Sequence, residues 1–179
     1  SQAKVKLREK ASTGIVMLDV EKAFDRVWHD GLLAKMIDLQ FPAYIIKMVK
    51  SFLTNRTFFV EIFGKKSQKY GIRFGVPQGA VLSPTLYNIF TFDIPKIMET
   101  ALALFADDTA FFCSSPSAWN IAKNLRKHAK VINEYMRKWK ININNKKTQA
   151  LFITNRIKKQ LPKATIKVFN EDVKWQTES

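Results

Sequence analysis

The apolar run Ala101–Cys113, ALALFADDTAFFC, constrains the fold most, because two adjacent aspartates interrupt it. Neighbouring side chains of a strand point to opposite faces, so both carboxylates can face one site only where the chain turns. The run therefore predicts two strands, 101–106 and 109–113, with Asp107 and Asp108 in a tight hairpin turn between them. An ordinary Asp-rich turn is the alternative, although a hairpin turn usually contains glycine or asparagine, and neither is present.

Two carboxylates beside a core repel each other and are poorly hydrated, so either one is protonated or a cation compensates them. Hard divalent cations with oxygen ligands, Mg²⁺ first, suit two carboxylates plus substrate phosphates. A third carboxylate, Asp19, ends the apolar strand TGIVMLD at Thr13–Asp19. If that strand lies beside the 101–113 hairpin, Asp19 and Asp107 converge at one end of the sheet. Two metals held there would activate a 3′-hydroxyl and stabilise a leaving pyrophosphate.

The chain is strongly basic, with 30 lysines and arginines against 15 acidic residues and a net charge of +15. Residues 119–179 hold most of this excess, whereas most carboxylates precede them. Such an excess indicates a polyanionic partner, most often nucleic acid, and the alternative is a solvated basic face. A basic surface that holds a polynucleotide, with an acidic spot that holds metals, fits polynucleotide chemistry.

The order of predicted elements is strand, helices, hairpin, helix, hairpin, helix, strand, which is an α+β fold with an antiparallel sheet covered by helices on one face. We expect a single domain over residues 1–179 and a reducing compartment, since one cysteine allows no internal disulfide. No apolar run approaches the roughly 20 residues of a membrane helix, so no membrane partner is expected.

The predicted elements between the strands that carry the acids are helices over 30–39, 42–53 and 83–93, and hairpin strands over 57–63 and 68–74 that turn at 64–66. Those that follow are an amphipathic helix from Ser115-Pro116, a strand over 150–154 and a hairpin over 165–175.

Four strings resemble consecutive motifs of a reverse transcriptase palm, in the family's order: LDVEKAFDRVWHDGLL at 18–33, GVPQGAVLSPTLYNIF at 75–90, FADD at 105–108 and INNKKTQALF at 143–152. Their residues are similar to those of polymerases of non-LTR retrotransposons, specifically jockey-like elements of arthropods. The resemblance covers nearly the whole chain. It implies a polymerase palm with incomplete fingers and no thumb, in a piece of a longer chain that lacks an endonuclease segment.

The resemblance also implies roles for individual residues. Asp19 and Asp107 match the family's metal-binding carboxylates, and Asp108 matches the third, more peripheral acid. Lys147 matches the lysine proposed to protonate pyrophosphate, although Lys146 beside it and a solvated turn lysine are alternatives. The implied cofactor is two Mg²⁺ ions, for which Mn²⁺ substitutes.

Three further residues match the family's nucleotide-binding positions. Phe24 falls where the family places a steric gate against a ribose 2′-hydroxyl, and a core aromatic is the alternative. Gln78 and Gly79 match the loop that lies against the incoming nucleotide and the template base. Asp25, Arg26 and Trp28 are expected to be structural, and His29 is expected to pack or cap rather than catalyse.

The function implied by the resemblance is RNA-directed DNA polymerase, which adds dNTPs to the 3′-hydroxyl of a DNA primer on an RNA template during retrotransposition. The alternative is a non-catalytic nucleic-acid-binding remnant of a decayed or domesticated element. A nucleotide cyclase also has a palm-like sheet with paired acids, but that function would not explain the Val-Pro-Gln-Gly string or the basic charge.

Overall fold

The structure, a computed structural model, describes residues 11–105, 108–154, 162, 165–168 and 171–177. The described chain forms two compact units. We call the described part of residues 1–21 and 94–179 the sheet unit, and residues 22–93 the helical unit. The single domain expected over residues 1–179 stays a prediction.

The secondary-structure elements of the two units are a mixture of strands and helices. In chain order they are β1 (Ser12–Asp19), a 3₁₀ turn (Phe24–Arg26), α1 (His29–Asp38), α2 (Ala43–Leu53), β2 (Thr57–Phe58), β3 (Glu61–Ile62), β4 (Lys65–Lys66), β5 (Tyr70–Gly71), α3 (Ser83–Thr91), β6 (Ala101–Phe105), β7 (Asp108–Ser115), α4 (Ala118–Lys138), β8 (Gln149–Ile153), β9 (Ile166–Val168), β10 (Glu171–Val173) and β11 (Trp175–Thr177). Among the described residues, no helix combines the length and apolar character that crossing a bilayer requires.

The sheet unit is built on a five-stranded sheet with the order β11-β8-β1-β7-β6. Its central strand β1 pairs antiparallel with β7 on one side and with β8 on the other. Strand β6 pairs antiparallel with β7, whereas β11 pairs parallel with β8 at the opposite edge. The strand that carries Asp19 is therefore held on both sides by backbone hydrogen bonds, which fixes its register.

Helix α4 covers one face of this sheet. The alternate residues Gly14, Val16 and Leu18 of β1 are buried, as strand periodicity requires. Gly14 has no room for a side chain, because a Cβ atom there would lie 2.8 Å from Cδ1 of Leu125 and even closer to the side chain of Ile121. The predicted apolar stripe of α4 is confirmed, since its members from Ile121 to Met136 are buried and its lysines and arginines are exposed.

The helical unit packs α1 against α2 and α3. At its centre lies Lys35, whose side chain is almost wholly buried. Its Nζ atom donates hydrogen bonds of 2.5 Å to the carbonyl oxygen of Phe90 and to Oδ1 of Asp93. A buried lysine requires such partners, because an unpaired buried charge is strongly destabilising. This ion pair therefore joins α1 to the end of α3.

The predicted α+β class, the antiparallel core of the sheet and its cover by a helix on one face are confirmed, and three details differ. The hairpin in the helical unit turns at Phe63-Gly64, and 65–66 form β4 instead of the predicted turn. Asp108 is the first residue of β7, paired with Phe105, and does not occupy a turn. The last hairpin ends at Val173, and Trp175 begins a parallel edge strand instead. The partner of this edge strand, β8, lies far away in the chain, so local sequence patterns could not predict the pairing.

Candidate functional site

The C-terminal end of β1 brings two carboxylates together. Asp19 pairs with Asp108 across the β1–β7 ladder, so the two residues lie directly opposite each other. The buried residues of both strands alternate with them, which places Asp19 and Asp108 on the face of the sheet away from α4. Asp108 is exposed and Asp19 is half-buried. Asp107, the other acid of the predicted pair, lies outside the described residues.

This pairing is electrostatically unfavourable unless a cation lies nearby. Like charges directly opposite each other on antiparallel strands repel, with Cβ atoms typically about 5 Å apart. No ion pair with lysine or arginine within the described ranges satisfies either carboxylate. Two hard oxygen ligands with no basic partner, open to substrate, match the coordination that Mg²⁺ prefers. The described residues contain no group of three His, Cys, Asp or Glu side chains that could hold a metal ion; a third protein ligand would have to come from outside them.

The turn that carries Lys147 is anchored to the same end of β1. The backbone N–H of Asn144 donates a 2.8 Å hydrogen bond to the carbonyl oxygen of Asp19, and that of Glu21 donates one of 2.8 Å to Asn142. Lys147 itself donates its N–H to the carbonyl oxygen of Asn144 at 3.1 Å, and its side chain is exposed. The structure thus places an exposed lysine in the turn that adjoins the Asp19 backbone.

Phe24 lies in the helical unit, at the start of the 3₁₀ turn. Its ring is half-buried and packs at 5.1 Å between centroids, with an interplanar angle of 36°, against the buried ring of Tyr87 on α3. The alternative role of Phe24, a core aromatic, therefore applies to the part of its ring that contacts Tyr87. The rest of the ring remains accessible. Tyr87 fixes the position of that ring, a contribution that sequence reasoning missed because the two residues are far apart in the chain.

Gly75 holds the following loop, Gly75–Gly79, against the backbone around the 3₁₀ turn. Its φ angle is +83°, and a Cβ atom would lie 2.5 Å from the carbonyl oxygen of Asp25. Its N–H donates to the carbonyl oxygen of Val27 at 2.9 Å. Its own carbonyl oxygen accepts hydrogen bonds from Nη1 of Arg56 at 2.9 Å and from Nε2 of His29 at 2.8 Å, with the imidazole in the tautomer that carries the Nε2 proton. His29 thus has the structural role that we expected.

The tip of this loop is exposed and carries Gln78 and Gly79. The side-chain Nε2 of Gln78 donates a 2.8 Å hydrogen bond to Oδ1 of Asp25, which confirms a structural use of that aspartate. Gly79 has a φ angle of +84°, and a Cβ atom there would meet nothing within 4 Å. The loop therefore presents an amide side chain in a defined position beside open backbone. Gly75 and Arg56, which hold it, were not among the predicted site residues; a glycine directly before Val-Pro was the available signal.

The predicted residues thus form two groups. Asp19, Asp108 and the Lys147 turn lie together at one end of the sheet in the sheet unit. Phe24, Gln78 and Gly79 belong to the helical unit, where one hydrogen bond joins Gln78 to Asp25, the residue after Phe24. The roles assigned to all six, and to Asp107, stay predictions.

Comparison with known proteins identifies the family. The family model described as reverse transcriptase (RNA-dependent DNA polymerase) matches residues 2–175. The chain is 40% identical over 147 residues to the RNA-directed DNA polymerase from mobile element jockey of Drosophila melanogaster, which covers 78% of this chain and 16% of that protein. It is 38% identical over 160 residues to the jockey polymerase of Drosophila funebris, covering 85% of this chain and 17% of that protein. The chain therefore spans about one sixth of the length of these curated relatives.

Solved structures share the fold. Telomerase from Candida albicans, in complex with a fragment of telomeric RNA, superposes with a TM-score of 0.60 at 14% identity and covers 87% of this chain and 30% of that one. Apo telomerase from Candida tropicalis gives a TM-score of 0.59 at 15% identity, with 88% of this chain and 35% of that one covered. At such identities the likeness concerns the fold alone. The resemblance to jockey-like polymerases, which rested on four sequence strings, is confirmed, and the chain belongs to the reverse transcriptase (RNA-dependent DNA polymerase) family.

Proposed function

We propose that this chain is the catalytic core of an RNA-directed DNA polymerase, which adds dNTPs to the 3′-hydroxyl of a DNA primer on an RNA template during retrotransposition. The observation that carries the proposal is the pairing of Asp19 with Asp108 on the open face of the sheet, in a chain whose relatives are named RNA-directed DNA polymerases. A purely structural protein would gain nothing from two carboxylates that repel each other.

Asp19, Asp107 and Asp108 are the proposed metal ligands. When bound, two Mg²⁺ ions, or Mn²⁺ in their place, supply activation of the primer hydroxyl and stabilisation of the charge on the leaving pyrophosphate. The chain's own contribution is to hold the carboxylates in register, and β1 does this from the centre of the sheet. Lys147 is the proposed proton donor to the pyrophosphate, and its side chain is exposed.

Phe24 is the proposed gate that excludes ribonucleotides. Its ring packs against the buried ring of Tyr87 on α3, and this contact would be lost if the ring moved away. An aromatic ring beneath the sugar would leave no room for a 2′-hydroxyl. Gln78 and Gly79 are the proposed contacts to the nucleotide, and the exposed basic face of α4 is suited to a polyanion such as template or primer.

The test is primer extension on an RNA template with Mg²⁺, with dNTPs and rNTPs in separate reactions. The protein should be produced in the longest available form that contains residues 1–179. We expect extension with dNTPs alone. Asp19→Asn and Asp107→Asn should each lower the rate by more than about 100-fold, because even indirect partners of a metal ligand commonly contribute 10- to 100-fold.

Asp38→Asn is the matched control, because Asp38 is an exposed carboxylate at the end of α1, in the helical unit. It should leave the rate unchanged. Phe24→Val should allow rNTPs to be incorporated while dNTP incorporation persists. A folded protein that binds nucleic acid but does not extend a primer would refute the proposal and favour the non-catalytic remnant.

A further inference from the structure

The hairpin Thr57–Gly71, which we call the arm, exposes every one of its residues. Its strands are short: β2 pairs with β5 at the base and β3 pairs with β4 at the tip. Between the two ladders, Ser67 donates its N–H to the carbonyl oxygen of Val60 at 2.9 Å and accepts the N–H of Val60 on its Oγ at 2.9 Å. The arm is therefore a defined hairpin without a hydrophobic core of its own.

The tip of the arm holds an aromatic ring in a costly conformation. Phe63 and Gly64 form the two-residue turn, with φ angles of +49° and +75°. Positive φ at both positions defines a type I′ turn, which favours Asn, Asp or Gly because a larger side chain is strained there. Phe63 nevertheless occupies the first position, and its ring is fully exposed. Strain and exposure at one aromatic residue together indicate a binding role.

Further rings continue along the arm, with cations beside them. Phe58 and Tyr70 lie opposite each other in the ladder, with ring centroids 5.6 Å apart, and both rings are about half exposed. Lys66 Nζ lies 5.2 Å from the centroid of the Phe59 ring. The arm thus alternates flat apolar surfaces with ammonium groups.

The charge of the arm is positive. It carries three lysines against one glutamate, Glu61, and Arg56 and Arg73 flank its base. Glu61 is already paired with Lys66 at 3.7 Å. Lys65 and Lys69 are exposed and take part in no salt bridge within the described part of the chain.

We propose that the arm binds single-stranded nucleic acid, with its bases stacked on the Phe63 ring and on the Phe58–Tyr70 pair and its phosphates beside Lys65 and Lys69. Aromatic platforms interleaved with basic side chains bind single strands without sequence preference, because every base has a flat face. A duplex is excluded as the main ligand, because its bases are already stacked on each other. The inference rests on the proposed function for the presence of a nucleic-acid substrate, and it adds a binding surface distinct from the carboxylates.

The experiment measures the affinity of the longest available form of the protein for a fluorescent single-stranded RNA of about ten nucleotides. Phe63→Gly removes the ring, and it also relieves the backbone strain, so the turn is retained. Phe63→Leu keeps an apolar side chain but removes the flat face. Tyr44→Ala is the control, because Tyr44 is another exposed aromatic residue of the helical unit and lies on α2, outside the arm.

We expect both Phe63 variants to bind the RNA about 5- to 100-fold more weakly, the range that base stacking on one aromatic ring contributes. Tyr44→Ala should bind normally, and the Phe63 variants should bind duplex RNA of equal length as tightly as the wild type does. Lys65→Gln and Lys69→Gln should each lower the slope of log affinity against log salt by about 0.7.

Two results would overturn the inference. One is an affinity of Phe63→Gly for the RNA within about twofold of the wild type. The other is unchanged RNA binding while Phe63→Gly loses binding to vesicles of phosphatidylcholine and phosphatidylserine, which would identify a lipid surface as the partner. Primer extension by the same preparations separates this inference from the proposed function. A protein that extends primers but binds RNA independently of Phe63 refutes only the inference, and one that binds RNA through Phe63 without extension refutes only the proposed function.

Discussion

Replacement of Gly75 by alanine should unfold the helical unit more easily, for two separable reasons. An alanine forced to a φ angle of +83° is strained by about 1–2 kcal/mol. Its Cβ atom would also lie 2.5 Å from the carbonyl oxygen of Asp25 and 2.7 Å from the carbonyl carbon, and neither backbone atom can move without displacing the 3₁₀ turn. Forced shifts of this kind typically cost about 1–3 kcal/mol. The expected loss in the free energy of unfolding is therefore about 2–5 kcal/mol.

Gly79→Ala is the matched control, because it shares the strain without the clash. Its φ angle is +84°, but nothing lies within 4 Å of a Cβ atom at that position. Urea unfolding followed by tryptophan fluorescence should show a loss of only about 1–2 kcal/mol for this variant. Equal losses for the two variants would refute the reasoning, because the close approach of Gly75 to Asp25 would then contribute nothing.

Three further predictions concern the sheet unit. Gly14→Val should destabilise the protein by about 1–3 kcal/mol in urea unfolding, because its side chain would collide with Ile121 of α4; equal stability would contradict the packing. Burial raises the pKa of the Cys113 thiol to about 11, so the folded protein should react with a disulfide reagent at pH 8 about 100-fold more slowly than the unfolded chain. Burial lowers the pKa of His128, so below its ordinary pKa of about 6.5 the unfolded chain binds more protons than the folded one. The free energy of unfolding should therefore fall as pH drops from 7 toward 5, and a slope unchanged in His128→Gln would assign that fall to other groups.

The elements that carry the candidate site could be predicted because their signals are local. The apolar run that ends at Asp19 predicted β1, and the regular apolar spacing after Pro116 predicted α4. The strands around the aspartate pair were also predicted, with boundaries within two residues of those observed. In each case the burial pattern is set by neighbours within a few residues, which is the information a sequence displays directly.

The details that could not be predicted depend on partners far away in the chain. Lys35 is a charged residue, and it can be buried because the fold brings it to Asp93, which lies 58 residues away in the chain. His128 is likewise buried on the apolar face of α4, where its ring nitrogens meet Thr100 and the carbonyl oxygen of Pro95. Residue type alone assigns both residues to a solvated surface, because it does not contain these distant partners.

The turn of the arm was misplaced for a different reason. Turn residues predict position only when they follow the usual preferences, and Gly64 suggested a turn that continues through the lysines after it. The structure instead begins the turn one residue earlier, at Phe63, with a residue type that such turns rarely accept. Departures of this kind are expected at binding surfaces, where local stability is given up for contact with a partner.

The central claim is that the carboxylates at the end of β1 hold divalent metal, and binding of Mn²⁺ monitored by electron paramagnetic resonance tests it most directly. The measurement needs no activity, and it can be made with the primer, the template and a non-hydrolysable dNTP present. We predict that the wild type binds Mn²⁺ in competition with Mg²⁺, that Asp19→Asn and Asp108→Asn each weaken this binding, and that Asp38→Asn does not. Equal Mn²⁺ binding by all four proteins would contradict the claim and leave the repulsion between Asp19 and Asp108 without a function.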